Sequence, residues 1–96
     1  MVTLWSRAAE RQLKKAFLYI RKDSYQNAVK VRHDIVMMSE SLSVNPERFP
    51  PDKFKLNNDG SYRAFELHRH RISFVILKEG ILIVRLRHTA MSPLVY

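Results

Sequence analysis

The sequence predicts an α+β domain in which a helical hairpin packs on one face of an antiparallel β-sheet, in the order β-α-α-β-β-β. Three observations predict it. Between residues 7 and 42, apolar side chains recur at spacings of three and four. Between residues 61 and 88 the pattern changes to β-branched and aromatic runs of strand length: Tyr62 to Leu67, Ile72 to Leu77 and Ile81 to Val84. These are joined by His68-Arg69-His70 and by the glycine-containing link Lys78-Glu79-Gly80, which reads as a meander of three strands. The whole chain is 96 residues, enough for one core and too few for two, so residues 1–96 are read as a single domain.

The first element, Val2-Thr3-Leu4-Trp5, is β-prone and is expected to join the sheet as an added strand. Ser6 follows at once, a good helix N-cap. After it Ala9, Leu13, Ala16, Phe17 and Ile20 fall on one helical face, while Arg7, Arg11, Lys14, Lys15, Arg21 and Lys22 fall mostly on the others. This helix is amphipathic with a basic outer surface. Asp23-Ser24 breaks the pattern and offers a second N-cap, after which Ala28, Val31, Ile35, Met38 and Leu42 continue at spacings of three and four. So short a connection makes the two helices an antiparallel hairpin. Met37 and Met38 are read as core filler at helical spacing, not as a ligand site.

From Ser43 to Gly60 the periodicity fails, because Pro46, Pro50 and Pro51 interrupt it and Asn57-Asn58-Asp59-Gly60 is turn chemistry. Phe49, Phe54 and Leu56 are expected to pin this loop to the body and leave Lys53 and Lys55 pointing outward. In the last strand Leu82, Val84 and Leu86 form a purely apolar set and are assigned to the helix-covered face, which puts Ile81, Ile83, Arg85 and Arg87 on the open face. In the middle strand Ile72, Phe74 and Ile76 are assigned to the core, with Arg71 and Ser73 on the open face. Clustered arginines on an open sheet face suit phosphate, because a guanidinium binds phosphate oxygens in a fixed fork.

Composition narrows the function. Seventeen Lys and Arg against nine Asp and Glu give a net charge of +8 and a pI near 10.2, a field that attracts polyanions. Cysteine is absent, which excludes disulfides and thiolate metal sites. Gly60 and Gly80 are the only glycines, so a nucleotide-binding glycine loop is excluded, and no nucleophile elbow or paired-carboxylate motif occurs. His68-x-His70 lacks a third ligand, and Arg69 and Arg71 oppose a cation, so no metal is expected. No secretory leader and no membrane-length apolar run is seen, and a cytoplasmic protein is expected.

Two residues near the end of the chain carry proton chemistry. His88 either continues the strand beside Leu86 as a structural histidine, or swings to the arginine cluster as a general acid or base. Tyr96 either anchors the tail or reaches back over the sheet.

The order of elements, together with Ser61-Tyr62-Arg63-Ala64-Phe65-Glu66-Leu67, His70-Arg71-Ile72-Ser73-Phe74 and Val84-Arg85-Leu86-Arg87-His88-Thr89-Ala90-Met91-Ser92-Pro93, resembles the toxins of the RelE/ParE superfamily. The resemblance implies a small toxin of a bacterial type II toxin–antitoxin pair, held inactive by its antitoxin. RelE-like members cut messenger RNA on the ribosome, and ParE-like members act on DNA gyrase without cleaving residues. By resemblance to the first, Arg71 stabilises the phosphate with Arg87 beside it, and His88 or Tyr96 moves the proton. Lys53, Lys55, Arg63 and Arg85 grip the RNA, and neither metal nor cofactor is needed. The tail after His88, Thr-Ala-Met-Ser-Pro, is instead similar to ParE-like tails. The leading expectation is therefore a ribosome-dependent endoribonuclease, with a gyrase-binding toxin as the alternative and a non-toxic nucleic-acid-binding module as a third.

Overall fold

Two serines start the two helices. Ser6 accepts a hydrogen bond from the Ala9 N–H through its side chain, and Ser24 accepts one from Asn27, each 3.1 Å long. The computed structural model describes residues 2–96. In it strand β1 (Val2–Trp5) leads into helix α1 (Arg7–Arg21) and helix α2 (Tyr25–Ser41). A 3₁₀ turn, Pro46–Arg48, interrupts the long loop, with Pro46 in the first turn where its missing N–H is tolerated. Strands β2 (Tyr62–Leu67), β3 (His70–Ile76) and β4 (Gly80–His88) complete the order. No helix among the described residues is long and apolar enough to cross a membrane.

The sheet is mixed, in the order β1-β4-β3-β2. β2, β3 and β4 form the antiparallel meander, and β1 adds to the outer edge of β4 in parallel. The apolar faces of the hairpin cover one side: Ala9, Val31, Ile35 and Leu42 are buried against Phe65, Ile72, Phe74, Ile81, Ile83 and Leu86. Met38 is partly buried against this core, whereas Met37 is exposed. Phe49 pins the loop by packing on Phe65 and Phe74, with ring centroids 5.4 and 6.3 Å away. Leu56 does not pin it and stays exposed.

The assignment of faces in β4 requires correction. Ser73 pairs with Arg85 but Phe74 pairs with Ile83, so Val84 has no partner and forms a β-bulge. The alternation reverses at that residue. Ile81 and Ile83 lie on the helix-covered face with Leu86, and Leu82 and Val84 do not belong to the core cluster. The assignment of Arg85 and Arg87 to the other face is unaffected, because both follow the bulge.

Gly80 also serves a purpose different from a turn. It opens β4 directly opposite Val2, and a Cβ there would overlap the Val2 carbonyl oxygen, so the glycine lets β1 approach. The hairpin turn itself is Lys78-Glu79, closed by reciprocal hydrogen bonds between Leu77 and Gly80. In the β2–β3 turn both His68 and Arg69 have positive φ, 50° and 63°, the geometry of a two-residue type I′ turn. His68 is held there from the helical layer, its Nε2 lying 2.7 Å from Asp34 Oδ2 on α2.

Candidate functional site

On the sheet face away from the helices the register lays out two rows. Glu66, Arg71 and Arg87 lie side by side across β2, β3 and β4, and so do Ala64, Ser73 and Arg85. This face is not open. The loop after Pro51 and the tail after His88 fold over it, leaving a cleft of about 310 Å³ lined by Lys53, Phe54, Glu66, Arg71, Ser73, Arg85, Arg87, His88 and the tail residues Thr89, Met91 and Pro93.

The centre of this cover is Asp52, which the sequence reading did not single out. It is 1% exposed. One carboxylate oxygen accepts from Arg71 at 3.1 Å and from the Phe54 N–H at 3.1 Å, and the other accepts from the Tyr96 hydroxyl at 2.6 Å. Burial opposes its charge, but Tyr96, the Phe54 N–H, the neighbouring Ser73 hydroxyl and Arg71 together outweigh burial and hold the carboxyl below its ordinary 3.8. The same pair acts in the opposite sense on the phenol: burial first, then the Asp52 carboxylate, push Tyr96 up to about 12. Local chemistry could have signalled Asp52, since an Asp whose side chain accepts the N–H two residues on builds its own turn.

The other fork of Arg71 binds Glu66 at 3.1 Å, so the guanidinium is clamped between two carboxylates and lies over the Phe54 ring. Glu66 offsets the like charges of Arg71 and Arg87, which face each other directly across β3 and β4. Arg87 donates through Nε to the Ser92 carbonyl at 3.0 Å. Arg85 donates to the Leu94 carbonyl and stacks on the Tyr96 ring, 3.9 Å from its centroid. The Tyr96 backbone bonds to Phe54 and Leu56, so tail and loop are tied edge to edge. Two polar atoms on this face, Arg71 Nε and Ser73 Oγ, are buried without a partner.

The structure thus brings together Arg71, Arg85, Arg87 and Tyr96, with Lys53 at the rim. Lys55 does not point outward: its ammonium lies over the Tyr62 and Tyr96 rings and donates to the Leu56 carbonyl. Arg63 is placed on the other face, opposite Phe74, where it donates to the carbonyls of Gly60, Glu47 and Phe49 and fastens the loop.

β4 runs regularly through His88, which pairs with His70 on the face of Leu86. The two rings meet edge to face, with centroids 5.1 Å apart. His70 Nδ1 is 2.9 Å from the His68 carbonyl and must carry the hydrogen, since a carbonyl only accepts. His88 Nδ1 accepts from the Ala90 N–H, so its hydrogen is on Nε2. Burial holds the His70 imidazole below its ordinary 6.5, with the charge of His88 a smaller cause. Among the described residues no three metal-ligating side chains gather.

Comparison with known proteins agrees with this architecture. The chain is similar to one in the chromosomal ParDE TA system from P. aeruginosa, with a TM-score of 0.71 at 20% identity, covering 92% of this chain and 95% of that one. It is also similar to one in the toxin-antitoxin complex RelBE2 from Mycobacterium tuberculosis, with a TM-score of 0.64 at 18% identity, covering 94% and 92%. No curated protein sequence matches. The family model of the ParE toxin of the type II toxin-antitoxin system parDE matches residues 3–93, and the chain therefore belongs to the ParE toxin family.

Proposed function

We propose that this toxin acts by binding DNA gyrase, as ParE-like members do, with no chemical step of its own, and that a cognate antitoxin neutralises it. The supporting observation is the internal commitment of the groups that RNA cleavage needs. Arg71 is clamped by Asp52 and Glu66. Tyr96 donates a hydrogen bond to Asp52 and, with its pKa pushed up to about 12, keeps its proton at neutral pH and so cannot serve as a base. His88 borders the cleft, but its ring stacks on His70 and its Nδ1 is occupied by the Ala90 N–H. One observation favours a second reading, RelE-type cleavage of messenger RNA: Arg71 Nε and Ser73 Oγ are unpartnered donors beside the cleft.

The test measures supercoiling by purified gyrase in the presence of the toxin and maps messenger RNA after induction in a bacterial host. Inhibited supercoiling, intact messages and full potency of His88→Ala are expected. Cuts within translated messages that disappear in Arg71→Ala would overturn the proposal in favour of the second reading.

A further inference from the structure

The longest row of exposed, unpaired positive charge among the described residues lies on α1. At 100° per residue, Arg7, Arg11, Lys14, Lys15, Arg21 and Lys22 fall within an arc of about 120° and form a row about 22 Å long. All six are exposed, and among the described residues none takes part in an ion pair. Glu10, the one acidic residue of α1, lies beyond the edge of the arc. Elsewhere the cations are paired, held by internal acceptors or scattered: Arg71 has two carboxylates, Lys30 pairs with Asp34, Arg63, Arg85 and Arg87 donate to carbonyls, and Lys53, Arg69 and Lys78 stand apart from one another along the chain.

We infer that the outer face of α1 is a surface for the phosphate backbone of duplex DNA, bound without regard to sequence. A membrane surface is a poor occupant, because a helix lying on lipid must insert its apolar face, and here Ala9, Leu13, Ala16 and Ile20 are packed in the core. An acidic protein is disfavoured by the lack of apolar anchors in the row, where Leu18 stands alone. Single strands are disfavoured because one exposed aromatic, Tyr19 at the end of the row beneath Lys22, offers a single stacking platform and not a series. The B-form major groove admits an α-helix, whereas that of an RNA duplex is deep and narrow. Over about 22 Å the DNA presents on the order of 13 phosphate charges, ample for six cations. The inference is independent of the gyrase reading, because its test contains no gyrase.

The experiment measures binding of the full chain to a 20-base-pair DNA duplex by fluorescence anisotropy between 50 and 200 mM salt. A parallel measurement uses an RNA duplex of the same sequence and poly-glutamate as probes. Each phosphate contact contributes about −0.9 to the slope of log K against log salt. The triple variant Arg11→Gln/Lys14→Gln/Lys15→Gln is expected to flatten that slope by about 2.7. A triple of equal charge, Lys30→Gln/Arg69→Gln/Lys78→Gln, should leave it within about 0.9 of the parent. Both variants are checked for unchanged circular dichroism. Equal flattening by both triples would reduce the effect to net charge and overturn the assignment. No measurable DNA binding at 50 mM salt, or tighter binding of the RNA duplex or of poly-glutamate, would overturn it as well.

Discussion

Removing the Asp52 carboxylate should unfasten the whole cover of the sheet. Asp52→Ala deletes the acceptor for the Tyr96 hydroxyl, for one fork of Arg71 and for the Phe54 N–H. Hydrogen bonds to a charged group are worth about 1.5–3 kcal/mol each, but those sharing one carboxylate do not add. Breaking a buried ion pair by removing one partner costs about 3–5 kcal/mol. Arg71 keeps Glu66 as a second carboxylate, so the lower end of that range, about 3 kcal/mol, is expected. For a chain of this size it corresponds to a fall of about 12–24 °C in Tm. The assay is urea and thermal unfolding followed by circular dichroism at pH 7. The acid limb supplies a second readout. A carboxyl whose folded pKa is depressed contributes stability above its unfolded value near 3.8, lost as pH falls through the folded value, so the difference between parent and variant should shrink below pH 4. A loss under about 1 kcal/mol at pH 7, or a difference that persists undiminished in acid, would refute the reasoning.

Three further outcomes follow from the geometry. Gly80→Ala sets a Cβ against the Val2 carbonyl and should release β1, seen as fast hydrogen exchange at Ser6, whose N–H bonds to Ile83, and a lower Tm; unchanged protection would contradict the close approach. His70 is held neutral by burial, so its folded pKa lies below the unfolded value near 6.5; stability should fall as pH drops from 6.5 toward the folded value, and His70→Phe should lose that dependence. Spectrophotometric titration should find one of the four tyrosines ionising at about 12, and Tyr96→Phe should remove that step while lowering stability by about 1.5–3 kcal/mol, the worth of a hydrogen bond to a charged group.

Both helices, their caps and their buried faces were legible in the sequence, because helix periodicity and capping are local: Ser6 and Ser24 act on N–H groups three residues away. The meander was legible for the same reason, since a short link between two apolar runs leaves antiparallel pairing as the simple solution. So was the placement of Arg71, Arg85 and Arg87 on one face.

Tertiary structure decided the rest. A single unpaired residue, Val84, reversed the alternation in β4, and no local signal distinguishes a bulged Val from a paired one. Arg63 reads on paper like the other strand arginines, yet pairing opposite Phe74 turned it to the loop carbonyls. Asp52, Arg71 and Tyr96 are far apart in sequence, so their meeting depends on where the loop and tail come to rest. The basic row of α1 was written in its sequence as an outer surface. That its cations stay exposed and unpaired, while Arg71 is matched by Asp52 and Glu66, emerged only on folding, because a charge is neutralised by what is near it in space.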